Sequence, residues 1–517
     1  MVGTGYRISE RHTAILMPFN PSVMNVIPHA KELTHKGKIF TAVRHAPTET
    51  KLLNNLGIEV PNPILHHYDW CDTTPFESQK VTAALMVANK RAYILNDMGT
   101  GKTRASLYGT DYLMKVGEVK RCLIIAPLST LSTVWEREIF QCFSHRSAIS
   151  LHGTKKQRVK KLAEDHDYYI INHDGLEVLK EELLARDDID AVIIDELAVL
   201  RNSNTTRWKT TKKVVGERKF VWGMTGSPTP KGPEDAYGQV KLLTPKRVPR
   251  YFKAWQSEVS TQITPFKWLP KPSANDTVHE AMRPAVRYEL EDCIDLPPIT
   301  VSTREVEMSP AQKQAYKTMK EAFYANFHEG EITALNAGVQ TSKLLQIGAG
   351  FTYGQNELCV DLPHEPRIKE LREIIDSTEH NVIVFTPFKH SVALLEKQLS
   401  KTYTVAAISG DVPKTQRDKI FNRFQHGNDL KVIVAHPQCM SHGLTLTAAS
   451  HIIWYSPTPN LETYEQASAR IRRPGQDKHT HIVHLQSSPI EKRIYKVLEQ
   501  RGSMQEALLD LFRAELK

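Results

Sequence analysis

Cysteine is scarce and scattered. The 517-residue chain has six, Cys71, Cys122, Cys142, Cys293, Cys359 and Cys439, and no two form a C-x-x-C pair. That excludes a disulfide-built domain and a cysteine zinc site, and it fits a reducing compartment. No apolar run approaches the ~20 residues needed to span a bilayer. The first residues carry no basic-then-apolar leader. A cytoplasmic protein is expected. No internal repeat or low-complexity tract stands out. What is present is ordinary globular composition, 40% hydrophobic and 24% charged. The length exceeds what one core serves, so two large domains and smaller pieces are expected. The net charge of +9 permits a polyanionic partner without requiring one.

The informative stretch is Asn96 to Thr103, N-D-M-G-T-G-K-T, between an apolar run (Ala92 to Leu95) and a helix starting near Arg104. Strand, glycine loop, Lys-Thr and helix make a phosphate-binding loop. Gly99 and Gly101 let backbone N–H groups curl around phosphate oxygens, and the helix N-terminus adds its positive end. Met98 and Thr100 complete the loop. Lys102 is expected to reach the β- and γ-phosphates of ATP, and the Thr103 hydroxyl to hold Mg²⁺. The full pattern wants Gly at the position of Asn96. Upstream, Tyr68 to Trp70 and Phe76 precede Gln79, whose amide offers the donor and acceptor that match an adenine edge.

Beyond the loop, apolar runs alternate with helical segments. Cys122–Ile125, Tyr168–Ile171, Ala191–Ile194 and Phe220–Trp222 read as buried strands, each followed by polar residues. Such alternation predicts a parallel sheet covered on both faces, with chemistry at the strands' carboxyl ends. Asp195-Glu196 ends the third run. Asp195 suits Mg²⁺ opposite Thr103, and Glu196 suits the base that positions the attacking water. Thr225-Gly226-Ser227 ends the fourth.

This order of motifs resembles the superfamily 2 helicases and translocases, and most closely the Swi/Snf-type DNA translocases. Their loop commonly reads D-E-M-G-x-G-K-T. Their acidic motif ends in a basic-Asn pair, here Arg201-Asn202 after Asp195 to Leu200, with Ala198 where His is usual. The resemblance implies that Thr225, Gly226 and Ser227 couple nucleotide state to movement, and that Ala198 alters that route. Late in the chain, Gln466 to Gln476 fills every fixed position of the family's Q-A-x-x-R-x-x-R-x-G-Q. Gln466 is thereby assigned to ATP. Arg470 and Arg473, three apart, are expected on one helical face as guanidiniums that neutralise the leaving phosphate. Thr445 departs from the family's Gly-Leu-Asn-Leu.

The implied fold is α/β: two RecA-like parallel-sheet lobes with helical insertions and a small N-terminal domain. The expected divisions are 1–70 (accessory), 71–244 (first lobe), 245–300 (linker or insertion), 301–360 (helical protrusion) and 361–517 (second lobe). ATP held by one lobe and arginines on the other make a hinge cycle. Backbone-gripping contacts to DNA are expected from Ser129, Thr130, Asn172, Thr386, Gly410 and Gly443. Lys155 to Lys161 reads as a solvated helix face. The resulting expectation is an ATP-dependent double-stranded DNA translocase, remodelling branched DNA, of bacterial or bacteriophage size. The alternatives are displacement of bound protein, or an ATP-gated clamp with little turnover.

Overall fold

The computed structural model describes residues 6–9, 11–70, 74–264, 267–324, 334–353, 359–427, 429–440 and 445–500. It divides into two units, Met1–Ile294 and Asp295–Lys517. No helix among the described residues is long and apolar enough to cross a membrane.

The first unit opens with a small antiparallel sheet of β1 (Arg7–Ser9), β2 (Ala14–Pro18), β3 (Lys31–His35) and β4 (Lys38–Arg44), in the order β1-β2-β4-β3. Alternation along β2 and β4 sends Ile15, Met17 and Val43 into a core closed by Leu53, Ile58 and Val60. Helix Pro47–Asn55 supplies Leu53, starts on a proline and ends before Gly57, whose φ of 78° only glycine adopts cheaply.

The large sheet of this unit has seven parallel strands: β5 (Arg91–Ile94), β6 (Arg121–Ala126), β7 (Ala148–Ser150), β8 (Tyr168–Asn172), β9 (Ile189–Asp195), β10 (Phe220–Met224) and β13 (Ala285–Val286). Their order is β13-β5-β10-β9-β6-β8-β7. Both faces are covered by helices, which is why β6, β8 and β9 are continuous apolar runs rather than alternating ones. The stretch expected as linker or insertion folds onto this unit. Helices Phe252–Val259 and Ala274–Ala281 bury Trp255, Val259, Ala274 and Ala281 in its core. Between them lies a hairpin of β11 (Ser260–Thr264) and β12 (Lys267–Pro270).

The second unit is a six-stranded parallel sheet: β14 (Ile299–Glu305), β17 (Asn381–Phe385), β18 (Val405–Ile408), β19 (Val432–Ala435), β20 (Ala449–Trp454) and β21 (Thr480–Gln486), in the order β14-β21-β20-β17-β19-β18. The segment expected to be a helical protrusion contributes more than helices. It starts within the edge strand β14, continues as helices Pro310–Tyr324 and Ala334–Gly348, and ends in a hairpin of β15 (Phe351–Tyr353) and β16 (Cys359–Asp361). A buried ion pair fastens the sheet to helix Pro489–Glu499. Arg367 donates from Nη2 to Glu491 Oε1 at 2.7 Å and to Leu485 O, from Nε to Tyr455 O and from Nη1 to the Ser487 hydroxyl.

Candidate nucleotide site

Register builds the site in the first unit. β10 lies between β5 and β9, and Met224 pairs with Ile94 on one side and Asp195 on the other. The residues that follow these strands therefore meet at one carboxyl edge: Asn96 to Thr103 after β5, Thr225 to Ser227 after β10, Asp195 and Glu196 at the end of β9. Thr225 N donates to Ile94 O at 3.0 Å, which fixes the Thr-Gly-Ser turn against the start of the loop. Inside that turn the Thr225 hydroxyl accepts from Ser227 N. A Cβ on Gly226 would stand 3.6 Å from Asn96 O and Met98.

The loop is held in left-handed turns, with φ of 88° at Gly99 and 77° at Gly101, and Gly101 caps helix Lys102–Lys115. A Cβ on Gly101 would come within 2.1 Å of Gln79 Nε2. Lys102 Nζ donates to Asn96 O (2.6 Å) and Asp97 O (2.8 Å), and Thr100 Oγ1 donates to Asp97 O. Gln79 is buried. Its Oε1 accepts from Phe76 N and its Nε2 donates to Gly101 O at 3.3 Å, so this amide joins the start of helix Glu77–Ala88 to the phosphate loop. Phe76 is half-buried, whereas Tyr68 and Trp70 are packed edge-on against Tyr108.

Asn96 occupies a loop position that departs from the family pattern, and the structure gives it partners. It is 2% exposed. Its Nδ2 donates to the Thr82 hydroxyl, and its Oδ1 accepts from Tyr288 N at 3.1 Å. Leu95 N donates to Val286 O, and Asp97 N donates to Tyr288 O. The segment around β13 is thus laced to the base of the loop.

Asp195 Oδ2 accepts from the Trp135 indole at 3.1 Å, and Oδ1 accepts from Glu196 N. Burial pushes its carboxyl up, against the opposing pull of Trp135, the Lys102 charge and the Glu196 N–H. A desolvated carboxylate beside the Thr103-bearing loop matches the oxygen donors that Mg²⁺ takes. Glu196 has φ 54°, an uncommon conformation for a residue with a Cβ. Sequence reading passed over Trp135 and His173, which both buttress the acidic pair. His173 Nε2 lies 2.9 Å from Asp195 O. A lone Trp carries no motif, but His173 stands next to Asn172, two residues past the apolar run that marked it.

The expected DNA contacts stand at carboxyl ends of strands within each unit, of neighbouring strands in the first and of strands separated by β19 in the second. Ser129 and Thr130 follow β6, and Asn172 ends β8 beside it, in register with Ala126. Thr130 is buried with its hydroxyl on Pro127 O, and Asn172 Oδ1 accepts from Arg158. In the second unit Thr386 follows β17 and Gly410 follows β18, flanked by the Lys389–Asp411 ion pair. Thr386 is fully buried. Gly443 lies outside the described residues.

The arginines require a correction. The helix expected to carry both ends early: it spans Leu461–Ser468, so Arg470 and Arg473 stand in the turns beyond it and share no helical face. Ala469 N closes the last turn on Glu465 O, and Pro474 with Gly475 at φ 90° prevents a restart. Arg470 is buried. Arg473 is half-buried and donates from Nε to Ala469 O, and desolvation draws its guanidinium down to about 10. Gln466 is buried within the helix, with Nε2 on Glu462.

A glycine loop and an acidic pair on one parallel sheet, followed by a second parallel α/β unit, define the class: a helicase-type ATP hydrolase. Residues 77–357 match the SNF2-related domain and residues 366–475 the helicase conserved C-terminal domain, so the chain belongs to the SNF2-related family. Protein p41 of Acyrthosiphon pisum secondary endosymbiont phage 1 is 25% identical over 471 residues, covering 86% of this chain and 99% of that protein. The human DNA annealing helicase and endonuclease ZRANB3 is 23% identical over 429 residues, 80% of this chain. The chain spans 38% of that relative's length. Among solved structures, the Sulfolobus solfataricus SWI2/SNF2 ATPase core in complex with dsDNA is 20% identical, with a TM-score of 0.42 over 86% of this chain and 95% of that one.

Proposed function

We propose that the chain is an ATP-driven translocase on double-stranded DNA that remodels branched substrates by annealing, branch migration or fork regression. The carrying observation is the convergence after β5, β10 and β9 of Lys102, Thr225 and the Asp195–Glu196 pair. In this reading the loop N–H groups and Lys102 hold the triphosphate, and Glu196 orients and deprotonates the attacking water. Thr103 and Asp195 hold Mg²⁺, whose chemistry is to neutralise charge on the phosphates. Arg470 and Arg473 stabilise the charge that develops on the leaving phosphate, an effect of about 10³ to 10⁵ in rate where isolated. Gln79 and Phe76 serve the base, and Gln466 the nucleotide. Ser129, Asn172 and Gly410 grip DNA backbone without reading sequence, whereas Thr130 and Thr386 are buried and do not reach it.

The branched-DNA role is supported by the folded domain that precedes the motor and by the annealing activity in the name of ZRANB3. Steady-state ATPase with no nucleic acid, duplex, single-stranded, branched DNA and RNA tests the reading, with Glu196→Gln as the blank beside each. Strongest stimulation by branched or duplex DNA, lost in the variant, is expected. Stimulation by RNA alone refutes the DNA assignment, and turnover indifferent to every nucleic acid refutes the motor.

A further inference from the structure

The basic stretch between residues 241 and 253 is left over once the nucleotide site is assigned. It reads K-L-L-T-P-K-R-V-P-R-Y-F-K, five cations and no carboxylate in one short run. The structure wraps it around a cavity of about 520 Å³ lined by Lys212, Lys241, Pro245, Val248, Arg250 and Tyr251, with Pro249 beside them. Among the described residues no acidic side chain lines it, and Lys212, Lys241 and Arg250 form no ion pair with a carboxylate.

The walls are fixed. Arg250 O accepts from the Tyr237 hydroxyl at 2.8 Å and from Lys241 Nζ at 3.0 Å. Arg247 Nη1 donates to Glu280 O, which pins the middle of the run. Phe252 packs edge-on against Tyr237, with ring centroids 5.4 Å apart. These ties leave Tyr251 67% exposed, a large aromatic face held at the surface with the Arg250 guanidinium 5.5 Å from its ring. Lys212 arrives from a different helix, Thr206–Val215, lying over the Trp208 ring. Leu242, Leu243 and Val248 beside the cavity pack into one core of this unit, whereas Leu107, Tyr108 and Leu113 of the helix that follows the phosphate loop pack into the other.

An exposed aromatic ring on an anchored stretch of chain, among unneutralised cations, suits one ligand chemistry: a flat apolar face next to a phosphate, as in an unpaired nucleotide. A paired duplex hides its base faces in the stack and offers the ring nothing. We propose that the cavity bounded by Lys212, Arg250 and Tyr251 is a second nucleic-acid site, which holds an unpaired DNA strand by stacking a base on Tyr251 between the cations. This deepens the branched-DNA reading and rests on it for the identity of the polyanion, because branched substrates expose the single strands such a site takes.

The test is nucleotide-free binding of a fluorescein-labelled single-stranded 20-mer, an abasic 20-mer and a 20-base-pair duplex to the full chain, over a salt series. Tyr251→Ala is expected to weaken the single strand about tenfold and leave abasic and duplex binding unchanged. Lys212→Ala with Arg250→Ala is expected to weaken both single-stranded probes and lower the salt slope by roughly 0.7 for each phosphate no longer neutralised. Circular dichroism confirms that the variants fold. Unchanged single-strand affinity in Tyr251→Ala overturns the site, as does no single-strand binding by the parent protein. An equal fall in affinity for duplex and single strand also overturns it, identifying a plain backbone patch instead. Duplex-stimulated ATPase, measured in parallel, reports the motor separately: its absence alongside Tyr251-dependent single-strand binding refutes the translocase reading and leaves this site standing.

Discussion

Replacing Asn96 by Ala is expected to destabilise the first unit even though the residue touches no reacting group. The side chain is buried and serves two elements at once, the helix bearing Thr82 and the strap bearing Tyr288. Alanine leaves the Tyr288 N–H without its acceptor and removes the donor to Thr82, at a cost of about 2–3 kcal/mol. For a unit of this size that corresponds to a fall in Tm of about 3–5 °C. Asn96→Asp separates hydrogen bonding from packing, because the shape is kept. Its second oxygen faces the Thr82 hydroxyl, which already gives its proton to Ser78 O. Asp is therefore expected to destabilise comparably, although it is the residue the wider family commonly carries there. Thermal melts of the full chain, read by circular dichroism, measure both variants. Melting within about 1 °C of the parent for both would refute the claim that Asn96 fastens the loop to the strap.

Three further outcomes are expected. Gly101→Ala forces a Cβ into a left-handed turn at 77° and against Gln79, so ATP affinity measured by a fluorescent analogue should fall about tenfold. Glu491→Ala leaves Arg367 charged and buried, which should lower the stability of the second unit by about 3–5 kcal/mol in urea melts, with partial recovery in Arg367→Met/Glu491→Leu. His45 and His451 are each held down at about 4, chiefly by burial, against an ordinary value of 6.5. Between those values the unfolded chain binds more protons than the folded one, so stability is full above about pH 6.5 and is lost as pH falls toward 4. Melting temperature should drop from about pH 7.5 to pH 5, and less so in His45→Gln.

What the sequence made legible follows from burial. β5, β6, β8, β9, β10, β17, β19 and β20 are covered on both faces, so each is an apolar run that announces itself. The strands that escaped notice are edges or carry polar residues. β3 is exposed along its whole length, and β14 alternates Thr, Ser and Arg at the rim of its sheet. β21 is interrupted by His481 and His484, the latter buried on the Tyr464 hydroxyl and stacked on Tyr495. β13 is only two residues long and exists because β5 offers it an edge. In the site, spacing revealed the loop and the acidic pair, since phosphate chemistry demands fixed local geometry. Trp135, His173 and Asn96 act through tertiary contacts, and spacing along the chain carries no trace of those. The early end of the helix before Arg470 shows the same limit, because a three-residue interval implies a shared face only while the helix lasts.

The strap at β13 has one more meaning. After Val286 and Tyr288 the chain makes one short helix, Leu290–Cys293, and the first unit ends at Ile294. The polypeptide therefore departs from this unit by way of the phosphate loop. The Tyr288 bonds that moor the outgoing chain are bonds to Asn96 and Asp97, and the carbonyls of those same two residues hold Lys102. In the proposed function Lys102 turns from them to a phosphate, which would free both carbonyls at the residues that moor the outgoing chain. On that proposal, the grip on a nucleotide and the exit of the chain from this unit share one anchor.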